Sequence, residues 1–300
     1  MNKEDFQEAL IEELRNTLPK NCSMDIISTT KNNDVSKTGI VIRLEDSAFS
    51  PTVYVDDLFR NYMHGETLGE IRDYVLQISG ERPQALDPKK ILSKESILEN
   101  VVFKMRNTEN NRSYLENVPV KMIDGMDDIA LVPYLQLNLD SIGNTGSVVV
   151  HDDMLKVAGL SKEELFEAAT ENSENSHITI KRMSEIIGMM FDTEETDECM
   201  FVAMDGEMKG ISPLACRNFF EMVETKTGTD RFMILPSSVN ELIIIKQDMA
   251  PDREMLFDLV RSVNSTMREE EVLSYNIYEC DKENIKTYSA EAGIERYAEM

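Results

Sequence analysis

Cysteine is sparse in this sequence, and the spacing of the few cysteines argues against a structural zinc site. The chain has 300 residues and four cysteines, Cys22, Cys199, Cys216 and Cys280. No two of them form a C-x-x-C pair, which is the usual spacing of zinc ligands. None lies in a sequence context that would favour a thiolate, so we expect buried, unreactive thiols.

Glycine-rich loops of the kind that bind phosphate groups are also absent. Neither G-x-G-x-x-G nor G-x-x-x-x-G-K-[ST] occurs in the chain. Both motifs bring backbone N–H groups close to the phosphates of a nucleotide. We therefore expect no nucleotide-dependent chemistry and no cofactor.

Basic residues are few relative to acidic ones. The chain has 31 Lys and Arg against 56 Asp and Glu, which gives a net charge of −25. Because so acidic a surface repels phosphate backbones and anionic lipid heads, we expect no nucleic-acid binding and no membrane binding. Solubility alone explains the charge, and attraction to a basic protein partner or to cations is the alternative.

No uninterrupted apolar segment is long enough to span a membrane. The N-terminal stretch "MNKEDFQEALIEELRN" is amphipathic and acidic, and it lacks the apolar core of a secretory signal. We therefore expect a cytoplasmic protein with reduced thiols.

Segments with helical and strand periodicity alternate along the chain without a regular βαβ rhythm. Their predicted order is α, ββ, αα, β, β, β, αα, β, α, ββ, α, β. This order favours a mixed α+β fold of mainly antiparallel strands interspersed with helices. We predict an N-terminal helix in residues 1–20, a first α+β subdomain in 21–140 and a second in 141–300, or else one continuous unit.

Several local signals are specific. "ERPQALDPKK" is the best linker candidate, and the acidic "FDTEETDECM" is predicted to be a solvated loop. Ser161 and Glu164 form the S-x-x-E pattern of a helix capping box. Pro133 lies within the predicted strand "DDIALVPYLQLNLD", and because proline has no N–H we expect a sheet edge or a bulge there.

The stretch "RFMILPSSVNELIIIK" raises the question of a catalytic serine. Ser237 and Ser238 follow an apolar, strand-like segment and precede another. The glycines of a G-x-S-x-G nucleophile elbow are missing. Proline and serine are typical turn residues, so we interpret the segment as a hairpin and keep both serines as catalytic candidates.

Two acidic runs are candidates for a metal site. The candidate ligands are Asp124, Asp127, Asp128, His151, Asp152 and Asp153. Hard cations take several oxygen ligands at close range, but neither run fits the calcium-loop pattern D-x-[DN]-x-[DN]-G. We interpret these residues as turn and cap residues, which would form a metal site only if other ligands converged on them.

Four stretches together resemble a domain-of-unknown-function family from anaerobic Firmicutes, mainly gut Clostridia. They are "SPTVYVDDLFRNYMHGETLGEI", "NVPVKMIDGMDDIALVPYLQL", "GLSKEELFEAATENS" and "FMILPSSVNELIII", spread from Ser50 to Ile245. The resemblance implies a bacterial cytoplasmic protein with no established activity, cofactor or partner. The last motif in the family reads Pro-Ser-Ser-aliphatic-His-Glu. Here Asn240 stands where that histidine would be, which weakens an enzymatic interpretation.

Our first hypothesis is a non-catalytic interaction or regulatory protein. The second is a hydrolase of atypical design, using Ser237 or Ser238 or an acid cluster around Asp124 and Asp152. That enzyme would bring these side chains into a deep pocket with one of the three histidines, which are His64, His151 and His177. The third hypothesis is divalent-cation binding by the acidic loops.

Overall fold

The computed structural model describes residues 1–45, 50–80, 88–138, 145–187, 199–281 and 284–289. The α-helices in this part of the chain are α1 (Lys3–Thr17), α2 (Val55–Met63), α3 (Leu68–Gly80), α4 (Pro88–Ile91), α5 (Lys94–Asn100), α6 (Arg112–Leu115), α7 (Asp152–Ala158), α8 (Lys162–Glu174), α9 (Met183–Ile187), α10 (Phe219–Thr227) and α11 (Arg253–Ser265).

The strands form three sheets, and every strand pair of known register is antiparallel. They are β1 (Cys22–Thr30), β2 (Ser36–Leu44), β3 (Thr52–Tyr54), β4 (Val101–Asn107), β5 (Lys121–Ile123), β6 (Met126–Asn138), β7 (Thr145–Val149), β8 (Ile178–Arg182), β9 (Met200–Asp205), β10 (Phe232–Pro236), β11 (Glu241–Lys246), β12 (Ile277–Cys280) and β13 (Ile285–Tyr288). The predicted α+β class is confirmed.

The chain divides into two compact units, Met1–Ile91 with 138–144, and Leu92–Leu137 with Thr145–Met300. These bounds differ from those of the predicted subdomains, 21–140 and 141–300. The predicted division into those subdomains stays a prediction. The predicted linker lies largely outside the described residues, as does most of the acidic run from Phe191.

The first unit packs helices α1, α2 and α3 on the three-stranded sheet β1-β2-β3. The Asn2 side chain caps α1 by accepting the Asp5 N–H at 2.8 Å. Phe6, Leu10 and Leu14 recur every four residues on one face of α1 and are fully buried. This periodicity fixes the face that α1 turns toward the sheet.

The second unit contains the six-stranded sheet β13-β12-β10-β11-β9-β8, whose centre is the apolar hairpin β10–β11. Helix α11 packs on one face of this sheet through Leu256, Phe257 and Val260. The strand order places the end of β9 beside the start of β11, with Met204 opposite Glu241. The candidate functional site lies at this end of the sheet.

The other sheet of the second unit has the order β4-β6-β5, and β7 also pairs with β6. Pro133 lies inside β6 opposite Phe103, so the expectation of an edge position is wrong. Phe103 directs its N–H to Ser173 and its carbonyl to Ser212, away from β6. Pro133 and Phe103 therefore form a non-hydrogen-bonded pair, which requires no N–H from Pro133 toward β4. The Pro133 carbonyl accepts the Val150 N–H just beyond β7.

Helix α8 confirms the predicted capping box. The Ser161 hydroxyl accepts the Glu164 N–H at 3.1 Å, and the Glu164 carboxylate accepts the Ser161 N–H at 3.0 Å. None of the helices in the described part of the chain is both long enough and apolar enough to cross a membrane.

Candidate functional site

The two serines lie in the turn of the β10–β11 hairpin, and both are buried. The Ser237 hydroxyl donates to the Glu241 carboxylate at 2.8 Å. The Ser238 hydroxyl accepts the Asn240 N–H at 3.1 Å, and the Ser238 N–H donates to the Glu241 carbonyl at 3.2 Å. Both side chains thus stabilise the turn, as the hairpin interpretation expects.

The three histidines lie in or beside different elements of the fold. His64 ends α2 and its ring contacts the Arg60 carbonyl at 2.7 Å. His151 precedes α7 and is exposed, and the His177 ring lies beside Gly206. Within the described residues, no hydrogen bond joins Ser237 or Ser238 to an imidazole. The hydroxyls of both serines are instead bonded within the hairpin, and the catalytic hypothesis stays a prediction.

The aspartate candidates separate into two groups. Asp124 and Asp127 are exposed at the β5–β6 turn, whereas Asp128 is half-buried and accepts the Tyr278 hydroxyl at 2.9 Å. Ser274 also donates to Asp128. Asp128 therefore links β6 to the segment before β12, and we assign it a structural role.

The second acidic group lies at the start of α7. Asp152 pairs with Lys162 at 3.2 Å and Asp153 with Lys156 at 2.8 Å. Carboxylates in the first turn of a helix also complement the helix dipole. In the part of the chain that the structure describes, no three His, Cys, Asp or Glu side chains converge closely enough to hold a metal ion. The metal-site hypothesis stays a prediction.

Burial raises the pKa of two thiols in the second unit, those of Cys216 and Cys280. It raises the pKa of Cys216 to about 11, and the nearby Glu174 carboxylate adds to the shift. The pKa of Cys280 is also raised, first by burial and then by Asp281 and Glu279. Both groups stay protonated near neutral pH, which agrees with the expectation of unreactive thiols for these two residues.

A buried aspartate organises the loop that follows β9, and the sequence reasoning missed it. Asp205 is only 3% exposed. Its carboxylate accepts backbone N–H groups from Glu207 at 2.9 Å, Lys209 at 2.8 Å and Ile211 at 3.4 Å. A carboxylate that accepts several N–H groups holds a loop in one conformation. The available signal was the pair of glycines in "DGEMKG" directly after a strand.

This loop forms one wall of a cavity of about 310 Å³ at the end of the six-stranded sheet. The hairpin turn forms another wall, and the segment after α11 forms a third. The lining residues are Met204, Asp205, Met208, Gly210, Ser238, Asn240, Glu241, Met267 and Glu271. The cavity is thus lined by three methionines and three carboxylates, all from the second unit.

The methionine lining is unevenly exposed. Met208 is 88% exposed and has a φ of 57°, so its side chain stands in solvent at the rim. Met204 and Met267 are half-buried. Methionine is flexible and polarisable, and it adapts to the shape of an apolar ligand. The arrangement can bind a group that has both an apolar body and a positive charge.

Gly210 lies where the loop after β9 approaches the Asn240 side chain of the hairpin turn. Its φ is +73°, and a Cβ placed there would lie 2.8 Å from Asn240 Oδ1 and 3.5 Å from Lys104 Nζ. The positive φ favours glycine here, whereas the two close atoms are the ends of side chains that can move aside. Asn240 lies at this contact and is exposed.

Comparison with known proteins gives one match. No curated protein and no solved structure matches this chain. The model of DUF5688, a family of unknown function, matches residues 3–282. Because the match covers most of the chain, the protein belongs to this family.

Proposed function

We propose that this protein is a non-catalytic binding protein of a bacterial cytoplasm, of Firmicute origin as the sequence resemblance implies. Its binding site is the cavity at the end of the six-stranded sheet, and its ligand is a basic side chain, arginine or lysine, of a protein partner. The observation that carries this proposal is the lining of the cavity by three carboxylates and three methionines.

The carboxylates supply the charge for this recognition. Asp205 is bonded to three backbone N–H groups, so its position is fixed. Glu241 is held by Ser237, and Glu271 pairs with Arg268. Carboxylates that are already positioned lose little conformational freedom when a cation binds, which favours affinity. The net charge of −25 would also speed the approach of a basic partner.

The methionines supply the apolar contact. Arginine and lysine carry three or four methylene groups below the charge, and these pack on apolar surface while the head group stays polar. Met204 and Met267 offer such a surface inside the cavity, and Met208 offers it at the rim.

Isothermal titration calorimetry with short capped peptides tests the proposal. We compare a peptide centred on arginine with one in which citrulline replaces it, because citrulline keeps the shape and removes the charge. The arginine peptide should bind at least about tenfold more tightly, which corresponds to roughly 1.4 kcal/mol. Its affinity should also fall as salt is added.

Two variants locate the binding. Glu271→Gln removes a charge from the cavity, and Glu221→Gln makes the same change in a shallow groove elsewhere in the second unit. Only the first should weaken the arginine peptide. Equal affinity for the citrulline peptide, no binding of the arginine peptide, or equal effects of the two variants would each refute the proposal.

The hydrolase hypothesis keeps one supporting contact, the 2.8 Å hydrogen bond from Ser237 to Glu241. A carboxylate can serve as a general base for a hydroxyl. Turnover of a chromogenic ester that is abolished in Ser237→Ala and kept in Ser238→Ala would favour this alternative over the binding protein.

A further inference from the structure

A pair of cations, Lys104 and Arg106, lies on β4, and the Lys104 Nζ lies close to Gly210 at the wall of the cavity. They alternate along the strand and so point to the same face of the sheet. The Lys104 ammonium lies 5.3 Å from the centre of the Tyr134 ring, and the Arg106 guanidinium lies 4.9 Å from it. Both side chains are half-buried. Two like charges thus share one aromatic ring.

Neither cation has a close carboxylate partner in the described residues. Lys104 donates to the Ser147 hydroxyl at 3.1 Å, and Arg106 donates to the Tyr134 hydroxyl at 2.8 Å and to the Met105 carbonyl at 2.6 Å. The Arg106 Nε is buried without a hydrogen-bond acceptor. Asp205 acts on Lys104 through its charge without forming an ion pair with it.

The surroundings of Lys104 favour its neutral amine. Burial lowers the pKa of Lys104 to about 8, and the repulsion from Arg106 adds to the shift, whereas Asp205 opposes it. A neutral amine is a nucleophile, and a protonated one is not. Ser147, its hydrogen-bond partner, is exposed, and Lys104 itself is half-buried.

We propose that Lys104 is a site of Nε-acylation, with an acyl phosphate as the donor. The neutral amine attacks the acyl carbon, a C–N bond forms, and the C–O bond to phosphate breaks. Phosphate leaves with that electron pair and takes up the proton released by the amine. Arg106 attracts the anionic donor, and its repulsion, added to the effect of burial, increases the fraction of the neighbouring amine that is neutral. The amide product removes the repulsion between the two cations.

Peptide mass spectrometry after brief treatment of the folded full-length protein with acetyl phosphate tests this proposal. The comparison residue is Lys156, whose side chain is 76% exposed and pairs with Asp153. That contact raises the pKa of Lys156. Lys104 should be acetylated at least about fivefold faster than Lys156 near neutral pH, because more of its amine is neutral.

Unfolding in urea is the control that needs no variant. The preference for Lys104 should disappear there, because burial, the approach of Arg106 and the Asp153 contact of Lys156 are all lost on unfolding. Arg106→Gln, which keeps a donor for Tyr134, should slow the acetylation of Lys104 in the folded chain at least about threefold, since the repulsion is lost.

Two results would overturn the proposal. One is acetylation of Lys104 no faster than that of Lys156 in the folded protein. The other is a preference that persists in urea, since it would come from the local sequence and not from the fold. An unchanged rate in folded Arg106→Gln would overturn the role given to Arg106.

Discussion

The hydrogen bonds of Asp205 give the sharpest prediction about stability. In Asp205→Asn, one carboxylate oxygen becomes an NH₂ group that cannot accept a hydrogen bond. The strongest bond at risk is the one from the Lys209 N–H to Oδ2 at 2.8 Å; the Ile211 N–H at 3.4 Å shares the same oxygen. If the asparagine keeps its Oδ1 toward the Glu207 N–H, its NH₂ group faces the N–H groups of Lys209 and Ile211.

The magnitude follows from the kind of bond that is lost. A hydrogen bond to a charged group contributes about 1.5–3 kcal/mol, and a buried donor left without an acceptor costs about 1–3 kcal/mol. A neutral amide is easier to bury than a carboxylate, which offsets part of this loss. We expect Asp205→Asn to lower the free energy of unfolding of the second unit by roughly 2–3 kcal/mol.

Two measurements check this expectation. Urea unfolding followed by circular dichroism gives the change in stability, and hydrogen exchange by mass spectrometry shows whether the amides of residues 206–211 lose protection. Asp258→Asn is the matched control, because Asp258 is 67% exposed and pairs with Arg261 on the surface of α11. Its effect should stay within about 0.5 kcal/mol. A loss below about 1 kcal/mol with unchanged exchange in 206–211 would show that Asp205 does not hold the loop.

Two further predictions concern Gly210 and Lys104. Gly210→Ala and Gly159→Ala should each cost roughly 1 kcal/mol in urea unfolding, because both positions have positive φ and the atom nearest the new Cβ of residue 210, Asn240 Oδ1 at 2.8 Å, is the end of an exposed side chain that can turn away; a clearly larger loss at Gly210 would show that Asn240 cannot move aside. Folding lowers the pKa of Lys104 from 10.5 to about 8. Between these two pH values the unfolded chain binds more protons than the folded chain, so the free energy of unfolding should rise with pH. Lys104→Met should remove this rise, which is on the order of 2–3 kcal/mol; an unchanged pH profile of urea unfolding would contradict the lowered pKa.

The parts of the fold that the sequence predicts are those set by local periodicity. Helix α1 and the β10–β11 hairpin follow directly from the spacing of their apolar residues. The strands that were missed are short or lie at sheet edges, such as β8 and β13 of the six-stranded sheet. An edge strand is exposed on one side, so its apolar pattern is weak. Their pairing is decided by the neighbouring strand, which no local pattern reveals.

Pro133 shows how a correct rule can lead to a wrong position. Proline lacks an N–H, so it needs a place where no ladder hydrogen bond is required. The sequence suggests an edge, but the interior of β6 also provides such a place opposite Phe103, whose N–H and carbonyl point away from β6. Which of the two applies depends on the register of β4 and β6, and therefore on tertiary structure.

The cavity could not be predicted because its walls come from distant parts of the sequence. Met204 and Asp205 end β9, Glu241 begins β11, and Met267 follows α11. Each of these residues is ordinary in its own segment. Only the antiparallel order of β9 and β11 places the carboxylates beside the methionines. Lys104 and Arg106 are easier to notice in the sequence than the cavity residues. They are two cations at alternating positions of an apolar strand, and such a pair needs a polar environment within the fold.

The position of Asn240 limits what a histidine, which the sequence resemblance implies at this place in the motif, could do there. The direct hydrogen bond between Ser237 and Glu241 does not involve the side chain at 240. Residue 240 is exposed at the rim of the cavity and contacts Ser238 through its backbone N–H. An imidazole at this position would therefore face the contents of the cavity before it faced the Ser237 hydroxyl. If other members carry a histidine here, as the sequence resemblance implies, its exchange for asparagine acts at the rim of the cavity and leaves the hydroxyl–carboxylate pair of the hairpin as it is.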